Sequence, residues 1–452
     1  RPESEAAKHG GAFRQSWGVQ LIELQKYAEN GDESRIHFNS TEGHIPSADE
    51  LQKLGIKLFV GVGHETTGAT TYAEEDVRNL LEWIALDPVN HHAVIDATST
   101  LGAMPWAEDI VQQVVAKCSL FMPFQKAIGG TAGYFIVSFT PQALDLVEKN
   151  VNNPAWAIPR QLKLALPADG QLPISGKRSL AAGPFYDPAK EQMIGGIINT
   201  FSTIAFAETT FGLLSSEKKV GSVRDLNKRS IANRAEVERW VAEHPLFALG
   251  VEDSSRRGAA VTLLKVNDAD INDAGLHASI IAKAKQLLGF EGLTHPNGDY
   301  ERGLDVARYV NTFPGTPGDF RLWIGGMRPV SDISAVFDNL EYAYHRAKIV
   351  VIEEELAKDG VTFEASSAAN SRVRKDDSNR AYKVLIADLV GLKFDSDGNP
   401  DFSQLQSYIE EKGGVFHEGP LADAGNLETG KIHFFYQPDL SRADEILPQT
   451  DQ

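Results

Sequence analysis

With Cys118 as its single cysteine, the 452-residue chain can form no intrachain disulfide and no multi-cysteine metal site. Long apolar runs are missing too. None approaches the roughly 20 residues needed to cross a bilayer as a helix, so a helical membrane span is excluded. Positive charge is in deficit, with 44 Lys and Arg against 62 Asp and Glu and a formal net charge of -18. That balance disfavours non-specific nucleic-acid binding, which needs clustered cations to displace counterions. A small anionic substrate remains compatible, through a local cationic site. One thiol suits a reducing compartment, and a cytoplasmic location is the expectation.

Hydrophobic residues make up 42% and charged residues 23%, the balance of an ordinary globular chain. From Leu58 the pattern alternates. Strands are expected at Leu58 to Gly63, Ala93 to Ala97, Ser119 to Phe124 and Gly133 to Phe139. Helices are expected around Val77, Leu80, Leu81 and Ile84, and across Glu108 to Ala116. This rhythm predicts an α/β fold with a mainly parallel sheet and helices on both faces. Proline and glycine punctuate 151–198, which reads as irregular structure.

A second pattern follows, with strands at Ala259 to Val266 and Phe320 to Ile324 and a helix at Leu276 to Leu288. A long helix comes next, with Ser331 and Asp332 available to cap it and Ile333, Val336, Phe337 and Leu340 as its buried stripe. The expected division is a larger unit over 1–225, a smaller α+β unit over 226–365, a polar linker over 366–380 and a partial α/β unit over 381–452. In the last, Tyr382 to Val390 and Val415 to His417 read as strands and Phe402 to Ile409 as a helix. The sequence contains no internal repeat.

Two strand ends carry candidate chemistry. Asp96 closes one apolar strand within VIDATST, and Lys126 follows another within FMPFQKAIGG. In a parallel sheet both would emerge at the carboxyl edge, where ligands bind. A lysine amine can form a Schiff base and a carboxylate can keep a pyridine nitrogen protonated, the pair that pyridoxal phosphate (PLP) requires. On spacing alone, a surface lysine and a strand-end aspartate would look the same.

The wording around these residues adds to the spacing. DATSTLGAMPW, FQKAIGGTAGYFIVSFTPQALD and INTFSTIA, in that order, resemble the class V, fold-type-I PLP aminotransferases, and most nearly the phosphoserine aminotransferases. The resemblance runs from about Phe13 to Ala347. It implies PLP as cofactor, with Lys126 as the Schiff-base lysine, Asp96 at the pyridine nitrogen, Ser99 beside it and Gln125 on the cofactor phosphate. Within HETTGA, Thr66 is the implied cofactor contact, and His64 stands where the family has asparagine. Asn199 and Thr200 match a pair that reaches the phosphate of the partner subunit's cofactor, which implies a homodimer with shared active sites. Phe13 takes the place of the aromatic on the cofactor ring, with Trp17 as competitor and a core aromatic as the plain alternative. Arg321 matches the substrate-carboxylate arginine, whose planar fork suits that role. Arg328 is a second candidate, and a solvated arginine after a glycine turn would look the same.

The implied reaction is ping-pong transamination between a small amino acid and a 2-keto acid, in the phosphoserine branch with 3-phosphohydroxypyruvate as acceptor and a place in L-serine biosynthesis. An alanine:glyoxylate-type transaminase is the closest rival, and a non-catalytic dimeric scaffold the reading from another class. A cysteine desulfurase is disfavoured, since the only thiol lies just ahead of Lys126. The family's N-terminal segment has no counterpart, and the chain is expected to begin after it. The tail, YKVLIADLVGLKFDSDGNPDFSQLQSYIEEKGG, resembles the opening of D-3-phosphoglycerate dehydrogenases, with an accessory α/β element as the alternative. His91 and His92 lack a third ligand at metal spacing and read as turn or surface residues.

Overall fold

The computed structural model describes residues 43–130, 135–150, 203–269, 271–288, 310, 318–358 and shorter stretches within 362–436. Helix α1 (Ala48–Lys53) starts from a capping box in which Ser47 and Glu50 satisfy each other's backbone N–H groups. Strand β1 (Leu58–Val62) follows, and a short hairpin of β2 (His64–Glu65) and β3 (Thr70–Thr71) leads into helix α2 (Glu74–Leu86). Then come β4 (His92–Asp96), α3 (Glu108–Lys117), β5 (Ser119–Pro123), β6 (Phe135–Ser138) and α4 (Pro141–Asn150).

These strands form one sheet in the order β1-β4-β5-β6. The first three run parallel, Val62 lying opposite Asp96 and Asp96 opposite Phe121. The fourth runs antiparallel to β5 at the edge, which leaves the sheet mainly parallel. The sheet is not buried on both faces throughout, since Phe135 and Ile136 are 55% and 53% exposed. Helix α2 packs by a stripe of Val77, Leu80, Leu81, Trp83 and Ile84, each worth about 1.5–3 kcal/mol when fully buried. His91 and His92 are buried rather than at the surface. His91 closes the turn after α2, stacks on Trp83 at 4.4 Å and places Nδ1 2.7 Å from the Trp83 carbonyl, a packing role that spacing alone did not reveal.

Helix α5 (Thr203–Val220) follows, and a second body takes in helix α6 (Val223–Glu243). It continues through β7 (Phe247–Leu249), β8 (Val261–Val266), helix α7 (Ala274–Gln286), β9 (Phe320–Trp323) and the long helix α8 (Val330–Lys358). Its three strands are antiparallel in the order β7-β8-β9. They share a core in which Trp240 stacks on Phe337 at 4.6 Å and Phe320, Leu264 and Tyr344 are fully enclosed. Ser331 and Asp332 fall inside the first turn of α8, not before it; the Asp332 N–H already bonds the Pro329 carbonyl at 3.1 Å. A buried ion pair ties α8 to the loop after β8: Lys348 Nζ lies 2.7 Å from Asp268 Oδ2, which also accepts the Tyr344 hydroxyl at 2.8 Å.

The tail holds a third sheet, of β10 (Val373–Asp376), β11 (Ala381–Ile386), β12 (Gly414–His417) and β13 (Ile432–Tyr436), in the order β10-β11-β13-β12. Helix α9 (Ser403–Glu411) lies between β11 and β12 in sequence. Strand β10 falls within the expected linker, and β13 is a strand that the sequence reading did not place.

Cys118 caps the end of α3, is 1% exposed, and has its thiol pushed up to about 12 by burial. The folded protein is therefore expected to resist a thiol reagent at pH 8 and to react once denatured, with label uptake followed by mass spectrometry.

Candidate active site

Parallel pairing brings the carboxyl ends of β1, β4 and β5 to one edge of the sheet, where several of the candidate residues lie. Asp96 is the last residue of β4. Its Oδ1 accepts the Thr98 N–H at 2.9 Å and the Thr98 hydroxyl, so the carboxylate is held by the turn that follows. Oδ2 has no partner among the described residues. Ser99 and Thr100 are buried in that same turn, and Gly63 packs so closely on Thr100 that any β-carbon would overlap its hydroxyl.

Lys126 sits three residues beyond β5, on a turn closed by the Gly129 N–H on the Lys126 carbonyl at 3.0 Å and the Gly130 N–H on the Phe124 carbonyl at 2.8 Å. Gly129 adopts φ 76°, which an L-residue would resist. Helix α5 seats this turn. A β-carbon on Gly212 would stand 2.9 Å from the Ile128 carbonyl oxygen, so only glycine permits the approach. The Lys126 ammonium is half-buried, and its pKa is lowered first by that burial and then by the Arg321 guanidinium. Its Nζ lies 6.0 Å from the centre of the Trp323 ring. Next to it, the Gln125 Oε1 is buried without a hydrogen-bond partner among the described residues.

Arg321, on β9, reaches back to the first body. Its Nε donates to the Thr66 carbonyl at 2.7 Å, fixing the tip of the β2-β3 hairpin. Burial lowers its pKa, and the neighbouring Glu65 carboxylate works in the opposite direction. The hairpin turn passes through Ala69 at φ 55°, anchored by the Gly258 N–H on its carbonyl at 3.1 Å. Thr66 thus joins the site through its backbone. Arg328 lies in the turn after β9, its N–H bonded to the Gly325 carbonyl at 3.1 Å and its own carbonyl taken by Asn233. Phe13, Trp17, Asn199 and Thr200 lie outside the described residues.

Helix α6 supplies a set of positioning residues that the sequence did not disclose. Asn227 pairs with the backbone of Met104, its Nδ2 donating to the carbonyl at 2.8 Å while its Oδ1 accepts the N–H. Ser230 donates to the Gly102 carbonyl at 2.6 Å and accepts the Gly326 N–H at 2.8 Å. Asn233 Nδ2 bonds the carbonyls of Ile324 and Arg328 at 2.8 and 3.1 Å. One polar face, spaced at three residues, therefore holds the loop after Asp96 and the turn after Arg321. A polar stripe inside an otherwise mixed helix was the available signal. No group of three or more His, Cys, Asp or Glu able to hold a metal occurs among the described residues.

What the arrangement offers is a lysine with a depressed amine, a carboxylate with one oxygen free, an orphaned amide oxygen and a buried guanidinium. Among these groups the amine fits a cofactor's aldehyde and the carboxylate its basic ring nitrogen, whereas an anionic arm would need the N–H donors of the Gln125 amide rather than its oxygen.

No family model matches the chain. It is 23% identical to the phosphoserine aminotransferase of Methanosarcina mazei over 337 residues, 75% of this chain and 74% of that one. Its identity to the Methanosarcina barkeri phosphoserine aminotransferase is also 23%, over 339 residues and the same shares. Among solved structures it is similar to a Cytophaga hutchinsonii phosphoserine aminotransferase, at TM-score 0.42 and 13% identity, covering 72% of this chain and 74% of the other. A pyridoxamine-pyruvate aminotransferase from Mesorhizobium loti gives TM-score 0.45 and 13% identity over 68% of each chain.

Burying an ammonium beside a guanidinium opposes folding, so Lys126→Met is expected to raise the melting temperature of the cofactor-free protein. The sign of the pH dependence follows. Because the folded-state pKa lies below the unfolded one, the native form binds fewer protons, and the wild type should close its gap to the variant as pH rises through the folded pKa toward the unfolded one. Thermal melts of both proteins across an alkaline pH series measure this.

Proposed function

We propose that the chain is a PLP-dependent aminotransferase acting on phosphoserine with 2-oxoglutarate as the amino-group partner. The observation that carries this reading is Lys126: a half-buried amine with depressed basicity, at the same sheet edge as Asp96 and within the field of Arg321. The two Methanosarcina relatives, phosphoserine aminotransferases by name, support the substrate class.

Lys126 would hold the cofactor through its amine and would act as general base toward the substrate Cα proton; a depressed pKa leaves more of its amine unprotonated for both tasks. When bound, pyridoxal phosphate supplies the electron sink that makes that proton acidic. Asp96, oriented by Thr98, offers its free oxygen to the protonated ring nitrogen. Gln125 would serve the cofactor's anionic arm through its amide N–H group, since its unpartnered Oε1 is an acceptor, and Ser99 and Thr66 are further candidate contacts. Arg321 binds the substrate carboxylate, with Arg328 as a second cation for the acidic substrate.

The proposal extends to Phe13 on the cofactor ring, and to Asn199 and Thr200 serving the partner subunit's site in a homodimer. Its support there is the ordered resemblance of the segments around them. A cytoplasmic enzyme of serine synthesis is consistent with the lone buried thiol. For the tail, the succession of β11, α9 and β12 supports its reading as the start of a dehydrogenase-like unit.

Incubated with pyridoxal phosphate, the full gene product should acquire the visible absorbance of a lysine-bound cofactor, and Lys126→Ala should lose both it and transamination. A colourless wild type would refute the reading. Arg321→Lys is expected to raise KM for both carboxylate substrates by about tenfold while kcat falls less, because a point charge cannot reproduce the bidentate fork. Steady-state rates with 3-phosphohydroxypyruvate and glutamate, set against glyoxylate and alanine, measure this and the substrate preference together.

A further inference from the structure

The His64 side chain is 2% exposed, and neither of its ring nitrogens has a hydrogen-bond partner among the described residues. It stands directly after Gly63 at the carboxyl end of β1, opposite Thr71 in the β2-β3 hairpin. One side of the imidazole is pressed against Gly258, where any β-carbon would overlap the ring. Burial, followed by the Arg321 charge, holds its pKa down at about 3, so the ring is neutral at physiological pH. A neutral imidazole carries one N–H donor and one acceptor. To bury both unmade costs free energy that an apolar side chain of the same size would avoid, and such groups are retained in native proteins for a reason.

Its surroundings narrow the ligand. Arg321 and Lys126 bring two positive charges to this end of the sheet, each disfavoured by burial, with the Glu65 carboxylate offsetting part of the cost at Arg321. Both are relieved by an anion. A third cation would add repulsion, whereas a neutral donor adds a hydrogen bond without charge. Gly258 supplies the slot that keeps the ring in place, and its N–H is already committed to the Ala69 carbonyl at 3.1 Å.

We propose that His64 is a substrate-binding residue of the Arg321 pocket, donating a neutral N–H to an oxygen of the carboxylate that Arg321 grips. The assignment rests on the aminotransferase reading and adds a specificity-determining contact to it. Gly258 is then a positioning residue, acting through the imidazole.

The test uses the cofactor-loaded full chain and glutarate, a dicarboxylate that cannot be transaminated, titrated by calorimetry. His64→Phe, which fills the space without a donor, is expected to weaken glutarate about tenfold, with the cofactor's absorbance retained. His64→Gln, which keeps a neutral N–H, should recover most of the affinity. Gly258→Ala should weaken binding too, by displacing the ring. Wild-type glutarate affinity in His64→Phe, with an unchanged or raised melting temperature, would make His64 an unpaired core residue and overturn the proposal. If His64→Phe does not fold, His64→Leu takes its place on the same criterion. A wild type that never acquires the cofactor's absorbance overturns the aminotransferase reading and this assignment with it.

Discussion

The hydrogen bond from Arg321 Nε to the Thr66 carbonyl, 2.7 Å long, is the charged contact by which the second body reaches the hairpin at the candidate site. It joins a strand of the antiparallel sheet to the hairpin that follows β1 of the parallel one. Because the donor carries a full charge, the bond is stronger than one between neutral groups, and the desolvated guanidinium cannot abandon it cheaply. The arginine is thereby held near Lys126 and His64, and its charge lowers the pKa of both.

Around this contact, glycine sets the clearances. Gly63, Gly212 and Gly258 each admit a neighbour where a β-carbon would collide, respectively the Thr100 hydroxyl, the backbone of the Lys126 turn and the His64 ring. The site is assembled by close backbone approach as much as by side-chain packing. Such approaches leave little slack, since interiors packed to crystal density transmit a displacement of a few tenths of an ångström.

Much of the frame was legible in the residues. The strands through Asp96 and ahead of Lys126, and helices α2 and α3, fall within a few residues of their expected bounds, because hydrophobic periodicity and turn residues act locally. What escaped was set by partners distant in sequence. Strand β6 has an apolar pattern that fits either direction, and only its pairing with β5 decides it. His91 is buried because the turn after α2 brings it back onto Trp83, eight residues earlier on that helix. Helix α8 begins at Val330, directly after Pro329, so Ser331 and Asp332 lie inside its first turn rather than at its cap. Lys126, Asp96 and Arg321 were each visible as residues at strand positions, but the unpaired state of His64 is a property of its surroundings and leaves no mark in the sequence.

Helix α6 grips its two loops through their main chains: Gly102, Met104, Ile324, Gly326 and Arg328 are all held by backbone atoms. A loop anchored this way keeps its path whatever side chain it carries. Side chains on these loops that pack on no core, unlike Met104, can change in the course of divergence while Asn227, Ser230 and Asn233 stay put. The scaffold separates the parts that must be constant from those through which a descendant could acquire a new ligand.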